Sequence, residues 1–86
     1  MEKTHKVLIT DIALGNLESF PSNHINRILN SIELLESFPE MGTKILKTEW
    51  QGYRQLIVDW YRIMYKIDDT NKIVFIHFIK HCKMNF

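Results

Sequence analysis

Apolar residues change their spacing near the middle of this chain. Before Pro39 they recur three and four positions apart, and after Gly52 they crowd into short runs rich in β-branched and aromatic side chains. Ile25, Ile28, Leu29, Ile32 and Leu35 stand at i, i+3, i+4, i+7 and i+10. They form one stripe of a helix whose other face carries Asn26, Arg27, Asn30, Glu33 and Glu36. Ser22 is placed to cap this helix, and Pro39 and Gly42 close it. Ala13, Leu17 and Phe20 make a shorter stripe. It predicts a helix capped by Thr10, favoured by Asp11 in its first turn, weakened by Gly15 and ended at Phe20-Pro21. Ahead of it, His5–Thr10 reads as a short strand.

Three further strands follow, Tyr53–Val58, Tyr61–Ile67 and Lys72–Lys80. Their links, Asp59-Trp60 and Asp68–Asn71, are short enough to impose an antiparallel meander. Lys44–Gln51 joins the helices to this meander and can be extended. The order β-α-α-β-β-β, with helices and strands segregated, predicts an α+β fold: a two-helix hairpin packed on one face of a small, mainly antiparallel sheet. The other face stays open. In such a sheet Arg62, in the middle strand, lies beside the end of the last strand, where His81 and several lysines gather.

Composition narrows the class. Eighty-six residues support one domain, residues 1–86, with one modest core. Hydrophobic residues at 45% and charged residues at 24% are ordinary for a globular chain and argue against disorder. No apolar run approaches the roughly 18 residues of a membrane span, and Val7–Ile9 is too short for the core of a signal peptide. The single Cys82 offers no internal disulfide. These features predict a soluble, cytoplasmic protein. The net charge of +1 hides an asymmetry, because residues 1–43 carry −3 and residues 44–86 carry +4. A cationic half suits nucleic acid or an acidic partner; solvated lysines that guard strand edges account for the same charges.

The order of motifs resembles toxins of the RelE/ParE superfamily, from bacterial type II toxin–antitoxin systems. The resemblance spans nearly the whole chain and rests on Thr10 at the end of the first strand, Pro39-Glu-Met-Gly42, Gly52–Leu56 (GYRQL), Tyr61–Asp68 (YRIMYKID) and Ile73–His81 (IVFIHFIKH). It implies a growth-inhibiting toxin bound by a cognate antitoxin. One branch cleaves mRNA on the ribosome without a metal, and the ParE-like branch poisons DNA gyrase. Three positions depart from the pattern. Ile57 replaces a common arginine, Lys80-His81-Cys82 replaces a Gly-His-Arg end, and Phe86 stands where a tyrosine is frequent.

Metal-independent RNA cleavage needs a base for the 2′-hydroxyl, cations for the phosphorane and an acid for the leaving 5′-oxygen. Arg62 is the candidate phosphate clamp, since its planar fork meets two phosphate oxygens; a salt bridge to Asp59 is the plain structural role open to it. His81 is the candidate acid or base, because an imidazole with a pKa of about 6.5 works in both directions. It sits just past the last apolar residue of its strand, from where it is expected to reach the open face. Lys83 joins these catalytic candidates, and Lys80, Lys44, Lys47 and Arg54 are candidate phosphate contacts. Trp50 is suited to stacking on bases or to anchoring an antitoxin. His77 shares strand parity with Ile73, Phe75 and Ile79 and reads as a sheet histidine. A metal shared by His77 and His81 fails on distance, roughly 13 Å along a strand, and Cys82 reads as inert packing. The expected partners are a cognate antitoxin together with the ribosome and its mRNA, or DNA gyrase in the alternative; no metal or cofactor is expected.

Overall fold

The computed structural model describes residues 2–82. Its elements are β1 (Lys6–Ile9), α1 (Asp11–Glu18), α2 (Ser22–Leu34), β2 (Thr43–Lys44), β3 (Tyr53–Val58), β4 (Tyr61–Asp68) and β5 (Ile73–His81), with 3₁₀ turns at Pro39–Met41 and Thr48–Trp50. The strands form one sheet in the order β1-β5-β4-β3-β2. β3, β4 and β5 are the antiparallel meander that the short links impose, and β1 returns parallel to β5. Asp59 turns the first hairpin at φ 53°, a left-handed conformation that Asp tolerates better than most residues. In the second turn Asp68 accepts hydrogen bonds from the Asn71 backbone at 3.1 Å and its side chain at 2.8 Å. Those bonds hold the Asp68 carboxyl below its usual range. His5, buried at the foot of β1, ties that strand to the same turn through Nε2 and the Asp69 carboxylate at 3.1 Å.

Both helices lie on one side of the sheet. Ala13 and Leu17 of α1 and Ile28, Ile32 and Leu35 of the α2 region pack against Tyr61, Ile63, Tyr65, Val74, Ile76 and Ile79. The predicted stripes therefore hold, with Leu29 at their margin and 38% exposed. Thr10 caps α1 as expected, its Oγ1 accepting from the Ala13 N–H at 3.2 Å. The cap of α2 differs. Pro21, not Ser22, holds the N-cap position, without a side-chain bond, because its fixed φ of −60° already starts the helix. α1 stops at Glu18, two residues before Phe20.

The connector after α2 is more ordered than its composition suggests. Thr43–Lys44 pairs with β3 as a short edge strand, and Thr48–Trp50 coils into a 3₁₀ turn. Tyr65 anchors its start: the phenol donates to Pro39 O at 2.7 Å and accepts from the Gly42 N–H at 2.8 Å. A side chain at Gly42 would collide, since an added Cβ meets Gln55 O and the Tyr65 hydroxyl at 2.6 Å. Burial raises the Tyr65 pKa, and the Gly42 bond offsets part of that rise.

β5 carries an irregularity that sets which of its residues reach the open face. Its pairing with β4 runs Met64↔Phe78 and then Tyr65↔Ile76, so His77 is an extra residue. This bulge reverses the alternation of the strand: Val74 and Ile76 face the helices before it, and Ile79 does so after it. The first helix steadies the bulge. Thr10 Oγ1 lies 2.9 Å from Ile76 O and 2.8 Å from His77 O, and Asn16 Oδ1 accepts the Ile79 N–H at 2.9 Å.

Candidate functional site

Residues paired across antiparallel strands share a face, so the register assigns each side chain of the meander. Ile63↔Ile79 and Tyr61↔His81 lie on the helix side; Arg62↔Lys80, Met64↔Phe78 and Lys66↔Phe75 lie on the open side. On β3 the open side receives Tyr53, Gln55 and Ile57, which pair with Lys66, Met64 and Arg62. These open-face positions include three cations, Arg62, Lys66 and Lys80; the same register places one carboxylate on this face, Asp68, paired with Ile73 at the far end of β4.

The connector folds over this face and makes a cleft. Lys44, Ile45, Leu46, Lys47 and Trp50 line it together with Gln55, Arg62 and Met64, around a volume of about 470 Å³. The Nε of Arg62 is buried at the cleft wall. Beside the cleft the bulge presents His77 and Phe78 side by side. Trp50 meets Tyr53 edge-on at 5.6 Å and Phe78 edge-on at 5.4 Å, and leans on His77 at 6.1 Å. Tyr53 and His77 are themselves 5.5 Å apart. Two ammonium groups flank these rings: Lys66 lies 5.6 Å from Tyr53 and Lys80 lies 5.1 Å from Phe78.

The structure thus brings together Arg62, Lys80, Lys47 and Trp50 from the predicted set, with Lys44 at the rim. Others fall elsewhere. Arg54 pairs with Tyr65, on the helix side of β3, and its Nη1 donates to Gly42 O at 2.7 Å, so it braces the connector. His81, expected on the open face, lies on the helix side instead, its ring 5.5 Å from Tyr61. The bulge is the physical reason, because one extra residue turns every later side chain of β5 to the other face. The predicted parity of His77 with Ile79 fails for the same reason. Asp59 bonds Arg27 of α2 at 3.0 Å rather than Arg62. Lys83, like Phe86, lies outside the described residues.

Tyr53, Lys66, His77 and Phe78 belong to the open face and were not among the predicted site residues. The alternation of β3 and β4 was enough to find Tyr53 and Lys66. For His77 and Phe78 the only available signal was a break in apolar alternation at Phe78-Ile79. Among the described residues no three His, Cys, Asp or Glu side chains converge as metal ligands.

With this architecture in place, comparison with known proteins is decisive. Residues 6–86 match the family described as the ParE toxin of the type II toxin–antitoxin system, parDE. The chain belongs to this toxin family. Solved structures agree with the assignment. The toxin–antitoxin complex RelBE2 from Mycobacterium tuberculosis has a chain 25% identical, with a TM-score of 0.83 over 91% of this chain and 98% of that one. The RelE–RelB complex from Pyrococcus horikoshii gives 24% identity and a TM-score of 0.78, covering 95% of this chain and 99% of that one. The ParDE system from P. aeruginosa gives 13% and 0.74, over 93% and 98% respectively, and like the P. horikoshii chain it shows the common fold alone. No curated protein matches the sequence. Two helices on one face of a mainly antiparallel sheet are thus the RelE/ParE architecture, and the toxin carries it without a helix long and apolar enough to cross a membrane among its described residues.

Proposed function

We propose that this toxin arrests growth by cutting mRNA on the ribosome in the cytoplasm, restrained until then by a cognate antitoxin. The observation that supports the reading is the Arg62↔Lys80 pair beside a cleft lined by Lys47 and Trp50, on a sheet face whose one carboxylate in the paired meander strands, Asp68, sits at the far end of β4. In the reaction the 2′-oxygen of the RNA attacks phosphorus, a P–O2′ bond forms and the P–O5′ bond breaks. Charge builds on the equatorial oxygens of the phosphorane, where a guanidinium and ammonium groups are worth most. Arg62 is the clamp, and Lys80 and Lys47 supply the surrounding field. Lys83 is retained as a candidate cation or proton carrier. The antitoxin follows from the solved relatives, which are toxin–antitoxin complexes.

Induction with mapping of RNA 5′ ends tests this proposal. Cuts should appear in translated messages and vanish when initiation is blocked. Intact mRNA with accumulated gyrase–DNA cleavage complexes would reject it in favour of the second reading, a ParE-like gyrase inhibitor that works by binding. One observation favours that second reading: the His81 imidazole lies across the sheet from Arg62, so the arginine cleft lacks the acid or base assigned to it.

A further inference from the structure

The ring cluster at the bulge exceeds what clamping a phosphate requires. Trp50, Tyr53 and His77 stand on the solvent side of the sheet and are each only partly buried. Lys66 and Lys80 border them, and the bulge that sets His77 beside Phe78 is held by Thr10 and Asn16 from the opposite side of the sheet. Flat rings edged by ammonium groups, beside a cleft whose described lining holds Lys44, Lys47 and Arg62 and no Asp or Glu, match a chain of anionic linkers carrying planar bases. An acidic peptide would answer the charges, but unlike a nucleic acid it carries no planar group beside every anionic unit.

From this arrangement we infer that Trp50, Tyr53 and His77 form a base-stacking subsite for single-stranded RNA. It adjoins the Arg62 cleft and shares Trp50 with it, so a base held here places its neighbouring phosphate toward Arg62. The choice of RNA rests on the nuclease reading; the stacking itself requires no cleavage.

The chain has two tryptophans, and replacing the exposed one by Trp60→Phe leaves Trp50 as sole reporter. Emission is then titrated with a uridine hexaribonucleotide, an abasic ribose-phosphate hexamer and hexaglutamate. Quenching by the hexaribonucleotide is expected, with the abasic strand weaker by about 5- to 150-fold, the worth of one stacked base. Tyr53→Ala combined with His77→Ala should weaken binding over the same range while the circular dichroism stays native. Anisotropy of a labelled hexamer extends the test to Trp50→Leu, where the reporter is lost and a similar weakening is expected. Equal affinity for the abasic strand, or equal quenching by hexaglutamate, overturns the subsite. Unaltered RNA affinity in the folded variants overturns it as well, even if the toxin still cuts mRNA. Base-dependent quenching by a toxin that cuts no mRNA sustains the subsite and rejects the nuclease.

Discussion

On the helix side of β4, Tyr61, Ile63 and Tyr65 are buried under α1 and α2; on the open side of the same strand, Arg62 and Lys66 face a cleft and a ring cluster. The backbone is shared, and hydrogen bonding along it is the same for both faces. What differs is the medium each side chain meets. Burial of apolar area against the helices stabilises the fold, at roughly 25 cal/mol per Å². On the open face Met64 and Phe78 are buried as well, but Arg62, Lys66 and Lys80 stay at least partly exposed and are free to answer to a ligand. A single strand therefore carries both surfaces by parity, and one bulge at His77 decides which residues of β5 lie on which face.

Neighbouring substitutions on β4 put that separation at greatest risk. Arg62→Ala should lower mRNA cleavage by about 10²–10³, the usual loss for one charge-stabilising donor, and leave the melting temperature near that of the parent. Ile63→Ala, one residue along, should cost about 2–5 kcal/mol of stability in urea titration through the cavity it opens. If Arg62→Ala unfolds the protein, the open face is structural after all and the comparison fails.

His81 offers a sharper contrast with a smaller effect. Packed edge-on against Tyr61, its ring should contribute about 0.5–1.5 kcal/mol beyond its buried area. His81→Ala is expected to lower stability by that order and to leave cleavage within a few-fold. A loss of cleavage in the general-acid range of about 10²–10⁴ with unchanged stability would instead restore the proton-transfer role suggested by sequence.

Asn16 reaches from α1 to the bulge, so it couples the two faces. Asn16→Ala leaves the Ile79 N–H without its acceptor, which should cost about 1–3 kcal/mol. Trp50 emission should shift at the same time, since its neighbours His77 and Phe78 would move. A stability loss with unshifted emission would show that the bulge persists without this support.

The smallest effect concerns pH and leaves both faces untouched. Asn71 holds the Asp68 carboxyl below the ordinary 3.8 in the native state. A group depressed in this way adds stability above its unfolded value, and that contribution is lost as pH falls through the folded value. Acid should therefore destabilise the parent as pH falls below about 4, and Asn71→Ala should shrink this dependence. An identical acid profile in the two proteins would remove the Asn71 bond as its cause.

Much of this molecule was decided by local rules. The stripes at Ala13–Leu17 and Ile28–Leu35, the Thr10 cap and the two short links determine the element order and the meander, because each acts within a few residues. Those features also predict which face α1 and α2 cover, and with them the placement of Arg62 on the other. Family motifs along the chain followed from the same local pattern. The short strand at Thr43–Lys44 and the turn at Thr48–Trp50 depend on pairing with β3 and on the Tyr65 anchor at Gly42, contacts made by distant residues. Tertiary structure alone also decided the bulge. Its stabilising groups, Thr10 and Asn16, lie more than sixty residues from the carbonyls and amide they satisfy. No local pattern records such a bond, and a strand read by alternation has no reason to insert an extra residue. That single insertion moved His81 to the helix side and set His77 beside Phe78 under Trp50, because side-chain direction in a strand depends on every residue counted before it.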